Sequence, residues 1–533
     1  MRTESDPIDL RAFKDELCER LRKGETGVLG KAKELAHELC RARQHELLSE
    51  IAEEVARRDD DPSVRRLYGQ ALIERGMVSA AVDVLTALAH RLDTDHEEYV
   101  EAMGLLGRCH KQMFFDAEDK ASPRVLANLT KAIEHYRVPY EASSNNSWHG
   151  INLIALMHRA RDEGLDIAIS FDVASEAQRL IEELEAVPDG ERDAWHAPTL
   201  AETYLAVGDW DRVEEIVARY VGRPHAAFQI ASTLRQFDQV WDVESMDPKR
   251  GSALLSVLRA RLVEVDDGQL ELSVTDLALE RERLNGEDLP TFEALLGSTG
   301  TSLYQWWKTG LARAEGVASV REKGGGRYGT GFLVRATDLG LEGDEAVVLT
   351  NFHVVNEKGL GGLPPADVEV SFEAAADPAP IGVSCILWES SSDLHDATVL
   401  RLAVPVKDVK PLPLADRLPD PDSRVYIIGH PGGRELAFSF QDNALLDHEG
   451  PTEGRPKVEG VVRLHYRAPT EGGSSGSPVF NAKRWEVVAL HHAGHQKAMG
   501  KLNGKEGTYG ANEGIWITSI RDAIQASRQG SVE

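Results

Sequence analysis

The pattern of hydrophobic residues changes once along this chain of 533 residues, at about residue 300. Before that point Leu, Ala, Arg and Glu dominate, and apolar residues recur about every 3.6 positions, which predicts α-helices. Beyond residue 315, short apolar runs rich in β-branched residues predict β-strands. A chain with this change folds as domains of different class, and its length leaves room for two to four of them.

The helical part contains degenerate helical-hairpin repeats of the tetratricopeptide (TPR) kind. Small residues such as Gly69 let two helices approach closely, and large residues fill the groove between them. Two further matches surround Gly107 and Gly208. Because a single repeat cannot bury its own apolar face, we expect the repeats to stack into an α-solenoid with a concave surface.

A longer stretch, roughly residues 50–245, resembles the TRAFs-binding, TPR-like region of the apoptosis signal-regulating kinases. The likeness rests on three segments that begin at Gly104 (G-L-L-G-R), Ala132 (A-I-E-H-Y-R) and Gly150 (G-I-N-L). No kinase motif follows. The resemblance implies a module that senses or docks a protein, and the alternative is a solenoid with a packing role alone.

The β-rich part contains the pattern G-x-S-G-x-P around Ser475. A serine hydroxyl is a weak nucleophile unless a base and an oxyanion site assist it. Glycines on both sides allow a tight turn that exposes the hydroxyl and directs backbone N–H groups to one spot. Alone, such a turn is common, so its interpretation depends on what lies upstream.

Two upstream segments supply the missing groups. His353 follows an apolar run that begins at Ala346, and Asp396 opens an alternating strand that runs to Leu402. With Ser475 the order is His, Asp, Ser. This order and these flanks resemble the chymotrypsin-fold serine peptidases over roughly residues 315–525, about the size of one double β-barrel domain.

The resemblance implies a role for each residue. Ser475 attacks the scissile carbonyl, His353 acts as general base and then general acid, and Asp396 orients the imidazole. The backbone N–H groups of Gly473 and Ser475 form the oxyanion hole. Asp393, three residues before Asp396, is a rival that we interpret as a solvated turn residue. An inactive relative that keeps the fold is the alternative.

Two departures from trypsin-like members concern control and specificity. Ser474 stands where zymogen-type members carry the acid that pairs with a new N-terminus, so the pocket forms without cleavage or is controlled by another route. Pro469 stands where trypsin-like members carry the aspartate that attracts Lys or Arg. Thr470 and His491 resemble the pair that contacts a substrate carboxylate in V8-like glutamyl endopeptidases. We therefore expect cleavage after Glu, or Asp, with small or apolar residues as the alternative.

Bulk properties limit the partners. The formal net charge of −28 argues against nucleic acid and anionic membranes, which need a basic surface. We found no secretory signal and no apolar run long enough for a membrane span. Four scattered cysteines predict no disulfide framework. These features favour a reducing cytoplasm. The cluster His491, His492 and His495 lacks the pattern of a zinc site, so we predict no metal and no cofactor.

The sequence thus predicts a multidomain α plus β protein: a TPR-like α-solenoid (residues 1–260), an acidic linker with amphipathic helices (261–314), and a double β-barrel of chymotrypsin type (315–527). The function expected is a cytoplasmic serine endopeptidase, controlled by a protein that binds the helical domain. A catalytically silent interaction scaffold is the alternative. A third possibility is self-cleavage within the Glu-rich linker.

Overall fold

The structure is a computed structural model. It describes residues 10–117, 119–142, 146–165, 167, 169, 171–265, 302–439, 443–451, 454–468 and 473–529. The chain divides into two compact units, which we call the helical unit (Met1–Ile216 and Gln236–Asp242) and the barrel unit (Val217–Arg235 and Val243–Glu533). Most of the predicted linker, including any self-cleavage site between residues 266 and 301, lies outside the described residues.

Residues 10–264 are mainly helical, as the 3.6-residue periodicity predicts. The helices are α1 (Leu10–Arg22), α2 (Leu29–Arg41), α3 (His45–Ala56), α4 (Pro62–Glu74), α5 (Val78–Ala89), α6 (Glu97–Phe115), α7 (Pro123–Ala142), α8 (Ser147–Asp162), α9 (Val173–Glu185), α10 (His196–Ala206), α11 (Trp210–Val221), α12 (Ala227–Arg235), α13 (Val243–Met246) and α14 (Pro248–Glu264). A π-helix, Gln236–Trp241, lies between α12 and α13.

The hairpin of α4 and α5 illustrates how the repeats form. Asp61 caps α4, because its side chain accepts from the backbone N–H groups of Ser63 and Val64. A β-carbon on Gly69 would lie only 2.6 Å from the Leu85 side chain, so the small residue sets the distance between the two helices. The predicted helical hairpin is confirmed here.

The first barrel closes on itself in the order β1-β2-β3-β6-β5-β4, and every pair is antiparallel. Its strands are β1 (Val317–Glu322), β2 (Arg327–Arg335), β3 (Ala346–Thr350), β4 (Val368–Ser371), β5 (Ile381–Ser390) and β6 (Ala397–Leu402). Val320, Leu333 and Leu400 are among the fully buried side chains that fill it. His353 lies just beyond the end of β3, and Asp396 lies just before β6.

The second barrel is a seven-stranded antiparallel sheet in the order β8-β7-β11-β12-β13-β10-β9. Its strands are β7 (Val425–Gly429), β8 (Ala437–Ser439), β9 (Ala444–His448), β10 (Arg463–Arg467), β11 (Pro478–Asn481), β12 (Val487–Gly500) and β13 (Thr508–Trp516). Backbone hydrogen bonds from Asp422 to Leu445 and from Leu445 to Ser423 join β9 to the start of β7 and close the barrel. The double-barrel prediction is thereby confirmed.

Helices also cover the second barrel. In α15 (residues 302–313), Trp306 packs its ring against those of Tyr426 and Trp485, with centroids 5.6 and 5.0 Å apart. The C-terminal helix α16 (Ile517–Gln529) follows β13 directly. No helix among the described residues is long and apolar enough to cross a membrane.

Candidate active site

His353 lies three residues beyond the end of β3. Its Nδ1 is 2.7 Å from Asp396 Oδ2, and its backbone N–H donates to Asp396 Oδ1 at 3.1 Å. The side chain remains 37% exposed, so the imidazole is accessible to a reactant. Two contacts to one carboxylate fix both the position and the tautomer of this imidazole, with the Nδ1 proton facing Asp396.

Asp396 is held in an uncommon backbone conformation just before β6, with φ at +45°. Its N–H donates to Ser391 O at 3.0 Å, and its carbonyl accepts from Asn351 Nδ2 at 2.8 Å. Burial opposes ionisation, but hydrogen bonds from His353 and His492 outweigh it and lower the pKa of the carboxyl. Asp393, the rival in the sequence, is exposed.

The loop that carries Ser475 is fixed by Thr330 of β2. The Thr330 N–H donates to Ser475 O at 2.8 Å, and the Thr330 hydroxyl donates to Gly473 O at 3.0 Å. Gly473 and Gly476 adopt positive φ angles of +93° and +88°, which favour glycine. Thr330 also accepts a 2.7 Å hydrogen bond from Thr350, at the end of the strand that leads to His353.

The backbone N–H groups of Gly473 and Ser475 are the two donors that the sequence analysis assigns to the oxyanion hole. Ser477 N–H donates to Ser474 O at 3.0 Å, and the N–H of Ser475 belongs to that same planar peptide and therefore points the opposite way. Within the described residues, neither Gly473 N–H nor Ser475 N–H has a hydrogen-bond acceptor. Among these residues no hydrogen bond joins Ser475 to His353; such bonds in unliganded sites often tighten only when substrate binds.

A buried polar cluster supports the loop from behind. His430 Nδ1 lies 3.1 Å from the Thr330 hydroxyl, and its backbone carbonyl packs against Gly473. A β-carbon on Gly473 would lie 2.6 Å from Gly433 N and 2.7 Å from His430 O. Any side chain at position 473 would therefore displace this backbone.

His491, one of the two predicted specificity residues, lies on β12 and is 3% exposed. Its Nδ1 is 2.6 Å from the hydroxyl of Tyr466. Burial and the neighbouring charges of His492 and His353 lower the pKa of His491 to about 3, so the ring is neutral at pH 7. The other predicted pocket residue, Thr470, lies outside the described residues, as do Pro469 and Glu471.

His492 joins the site, although the sequence analysis gave it no role. Its Nδ1 is 3.2 Å from Asp396 Oδ2, and its Nε2 is 2.7 Å from Glu513 Oε1. Glu513 also binds His465 Nε2 at 2.8 Å. Burial would lower the pKa of His492, but the two carboxylates raise it to about 9. The adjacent histidines in the sequence were the available signal.

This network predicts how stability depends on pH. Since the folded pKa of His492, about 9, exceeds the ordinary value near 6.5, its contribution is complete below about pH 6.5 and lost as the pH rises through about 9. The lost stability is about 3 kcal/mol. The pKa values of Asp396 and Glu513 are lowered, so their contribution is present above about pH 4 and lost as the pH falls.

Thermal unfolding of the Ser475→Ala protein between pH 5 and pH 9.5 measures this effect without self-digestion. The transition of the barrel unit should move to lower temperature above about pH 7. His492→Asn should flatten this alkaline dependence, and an equally steep fall in that variant would contradict the assignment.

Comparison with known families agrees with this architecture. Residues 329–490 match the family described as a trypsin-like peptidase domain. Residues 44–157 match the family described as Tetratricopeptide Repeats-Sensor. The chain therefore contains a trypsin-like serine peptidase domain, which is preceded by a TPR-sensor region.

Individual relatives match part of the chain. A glutamyl endopeptidase of Staphylococcus epidermidis is 28% identical over 165 residues, which are 28% of this chain and 51% of the relative. The chain thus spans about half the length of the curated relatives it matches. Among solved structures, the inactive and active forms of the Rv3671c protease of M. tuberculosis are 16% and 20% identical. Each match covers 41% of this chain. The match covers 91% of the inactive form at a TM-score of 0.29, and 82% of the active form at a TM-score of 0.28.

Proposed function

We propose that the chain is a serine endopeptidase that cuts proteins through His353, Asp396 and Ser475. The observation that carries the proposal is the 2.7 Å contact of His353 Nδ1 with the buried Asp396 carboxylate. It leaves the exposed edge of the imidazole to serve as a base. The match of residues 329–490 to a trypsin-like peptidase domain supports the same reaction.

In this reaction the Ser475 hydroxyl attacks the carbonyl carbon of the scissile peptide, and His353 Nε2 takes the hydroxyl proton. The oxyanion is stabilised by the N–H groups of Gly473 and Ser475. His353 then gives the proton to the leaving amine, and the acyl-enzyme is hydrolysed by water through the same base. Asp396 stays ionised throughout and stabilises the imidazolium, consistent with its lowered pKa.

We further propose cleavage after Glu, or Asp, with His491 as the residue that contacts the substrate carboxylate. Burial raises the pKa of Tyr466 well above its usual range, so its hydroxyl keeps its proton and can donate to His491 Nδ1. The neutral imidazole then carries its proton on Nε2, where it can donate to a carboxylate. The glutamyl endopeptidase relative supports this preference.

Replacing His491 by alanine should reduce the cleavage of Glu peptides more than it reduces peptide hydrolysis in general. Removing one hydrogen bond to a charged group should lower kcat/KM for a Glu peptide roughly ten- to a hundredfold. A matched peptide with Ala at the same position should change by less than about threefold. Kinetics on a series that varies only this residue (Glu, Asp, Lys, Ala) measures both effects.

Tyr466→Phe is the matched control, because it removes only the hydroxyl that holds the His491 tautomer. It should reduce Glu cleavage in the same direction but less than His491→Ala. A wild type that prefers Lys, or an equal loss for Glu and Ala peptides in His491→Ala, would overturn the specificity proposal.

We propose that the helical region binds a protein that controls the peptidase, in the cytoplasm. Free Cys18, Cys40, Cys109 and Cys385 are consistent with a reducing compartment. Within the barrel unit, the end of α14 is bonded to the start of β7, because Tyr426 of β7 and Arg424 just before it donate to Val263 O, each at 3.1 Å. The strand β7 leads to the turn at His430, which packs on Gly473. A shift of α14 would therefore be transmitted through β7 to the loop that carries Ser475.

Mass spectrometry of cleavage sites tests the function. A proteome digested by the wild type, with and without added cell lysate, is compared with one digested by Ser475→Ala. New termini that follow Glu and depend on Ser475 support the proposal. Their absence under both conditions, with no labelling by a fluorophosphonate, would favour the interaction scaffold instead.

A further inference from the structure

A β-bulge places His492 against the candidate catalytic residues. Along β12, His491 pairs with Gly514 and Ala493 pairs with Glu513, so His492 is the extra residue between them. A bulge redirects the side chain it carries. His491 contacts Tyr466, whereas His492 reaches Asp396 and Glu513.

The partners of His492 require a charged ring. Nδ1 faces the Asp396 carboxylate at 3.2 Å and Nε2 faces the Glu513 carboxylate at 2.7 Å. A neutral imidazole has one N–H and could satisfy only one of these acceptors. The side chain is 15% exposed and Asp396 only 2%, so water cannot easily replace either contact. The geometry therefore describes an imidazolium between two carboxylates.

The other charged or titratable groups near His492 and its two carboxylates belong to three elements. From β10, Arg463 Nε lies 3.4 Å from Glu513 Oε1, and His465 Nε2 lies 2.8 Å from Glu513 Oε2. From the loop after β3, His353 shares Asp396 Oδ2 with His492. On β12 itself, His491 is neutral, because burial and the charge of His492 lower its pKa. Asp396 and Glu513 together thus keep a positive charge on His492.

A cation at the position of His492 affects both the orientation and the charge of Asp396. By donating to Oδ2, His492 helps to orient a carboxylate that also accepts from His353 Nδ1 at Oδ2, and from the His353 backbone N–H and the Ser392 hydroxyl at Oδ1. Its charge also offsets part of the negative charge of Asp396, and a positive charge at this position disfavours the binding of a further proton within the network. The two effects can be separated, because an asparagine amide at position 492 can donate a hydrogen bond to Asp396 without carrying a positive charge.

We propose that His492 is a positioning residue of the triad: an imidazolium anchored by Glu513 that orients Asp396 and extends activity toward lower pH. This inference rests on the proposed serine endopeptidase function. It adds a fourth residue, contributed by the second barrel, to the three predicted from the sequence.

Kinetics of His492→Leu and His492→Asn test the catalytic role. His492→Leu should lower kcat roughly ten- to a hundredfold with little change in KM, the usual effect of losing one hydrogen bond to a charged group. The acid limb of its kcat/KM profile should move about one unit to higher pH, because the neighbouring cation is gone. Asn keeps a donor near the Nδ1 position, so it should recover much of kcat but not the acid limb.

Nuclear magnetic resonance of ¹⁵N-histidine-labelled Ser475→Ala protein tests the charge independently of activity. His492 should remain doubly protonated from pH 6 to pH 8, and should titrate at lower pH in Glu513→Gln. A neutral His492 at pH 7 would overturn the inference. His492→Asn with wild-type kcat and an unchanged acid limb would also overturn it, even if His492→Leu fails to fold.

The two proposals fail differently. A wild type that neither hydrolyses peptides nor reacts with a fluorophosphonate would overturn the proposed function, and the catalytic role of His492 with it. An active wild type whose His492 variants match it in kcat and pH profile would overturn only the role of His492. His465→Asn serves as the comparison, since it removes a partner of Glu513 that does not contact Asp396, and its effect on the acid limb should be smaller.

Discussion

Ser475→Ala is expected to lower kcat on the order of 10⁶-fold, the largest effect of any single change in this chain. In the proposed reaction the Ser475 hydroxyl forms the acyl-enzyme, whereas Thr330 and the flanking glycines hold the loop whichever residue stands at position 475. The variant should therefore keep its fold and its substrate affinity. Steady-state rates with a Glu peptide, together with labelling by a fluorophosphonate, measure the loss.

A double variant distinguishes a catalytic unit from two independent residues. His353→Ala should cost nearly as much as Ser475→Ala, and the combination should cost no more than Ser475→Ala alone, because the base has no function without the nucleophile. Ser384→Ala, at an exposed serine on β5, is the control and should label like the wild type. Additive losses, or labelling that survives in Ser475→Ala, would contradict the assignment.

The sequence predicted the two-part fold because its signals are local. Helical periodicity around Gly69 and the alternating strand after Asp396 depend on residues a few positions apart, and both elements form where expected. The candidate residues His353, Asp396 and Ser475 were likewise found from short flanking motifs, and the structure brings His353 and Asp396 into contact.

Features that depend on pairing between distant strands were not predicted. Position 492 follows position 491, and a regular strand would direct the two side chains to opposite faces. His492 is the extra residue of a bulge opposite Glu513, and that bulge depends on how β12 pairs with β13. The role of Thr330 was hidden for the same reason, since its partners Gly473 and Ser475 lie more than 140 positions away.

Asp396→Asn is expected to lower kcat on the order of 10⁴-fold while leaving the protein folded. The carboxylate accepts from His353 Nδ1 and His492 Nδ1 at Oδ2, and from the His353 backbone N–H and the Ser392 hydroxyl at Oδ1. An asparagine has one acceptor oxygen for these four donors. If its amide nitrogen takes the Oδ2 position, His353 must carry its proton on Nε2 and cannot accept one from Ser475. If it takes the Oδ1 position, it opposes the His353 N–H.

Either orientation also removes the negative charge next to His492. The pKa of His492 should then fall from about 9 toward its ordinary value, which histidine resonances can follow in the same protein. Asp393→Asn is the matched control, because that exposed acid lies only three residues earlier, and its kcat should stay within about threefold of the wild type. A large loss in Asp393→Asn together with a small one in Asp396→Asn would transfer the orienting role to Asp393. A fall in kcat for Asp396→Asn without any change at His492 would instead separate catalysis from the network that extends to Glu513.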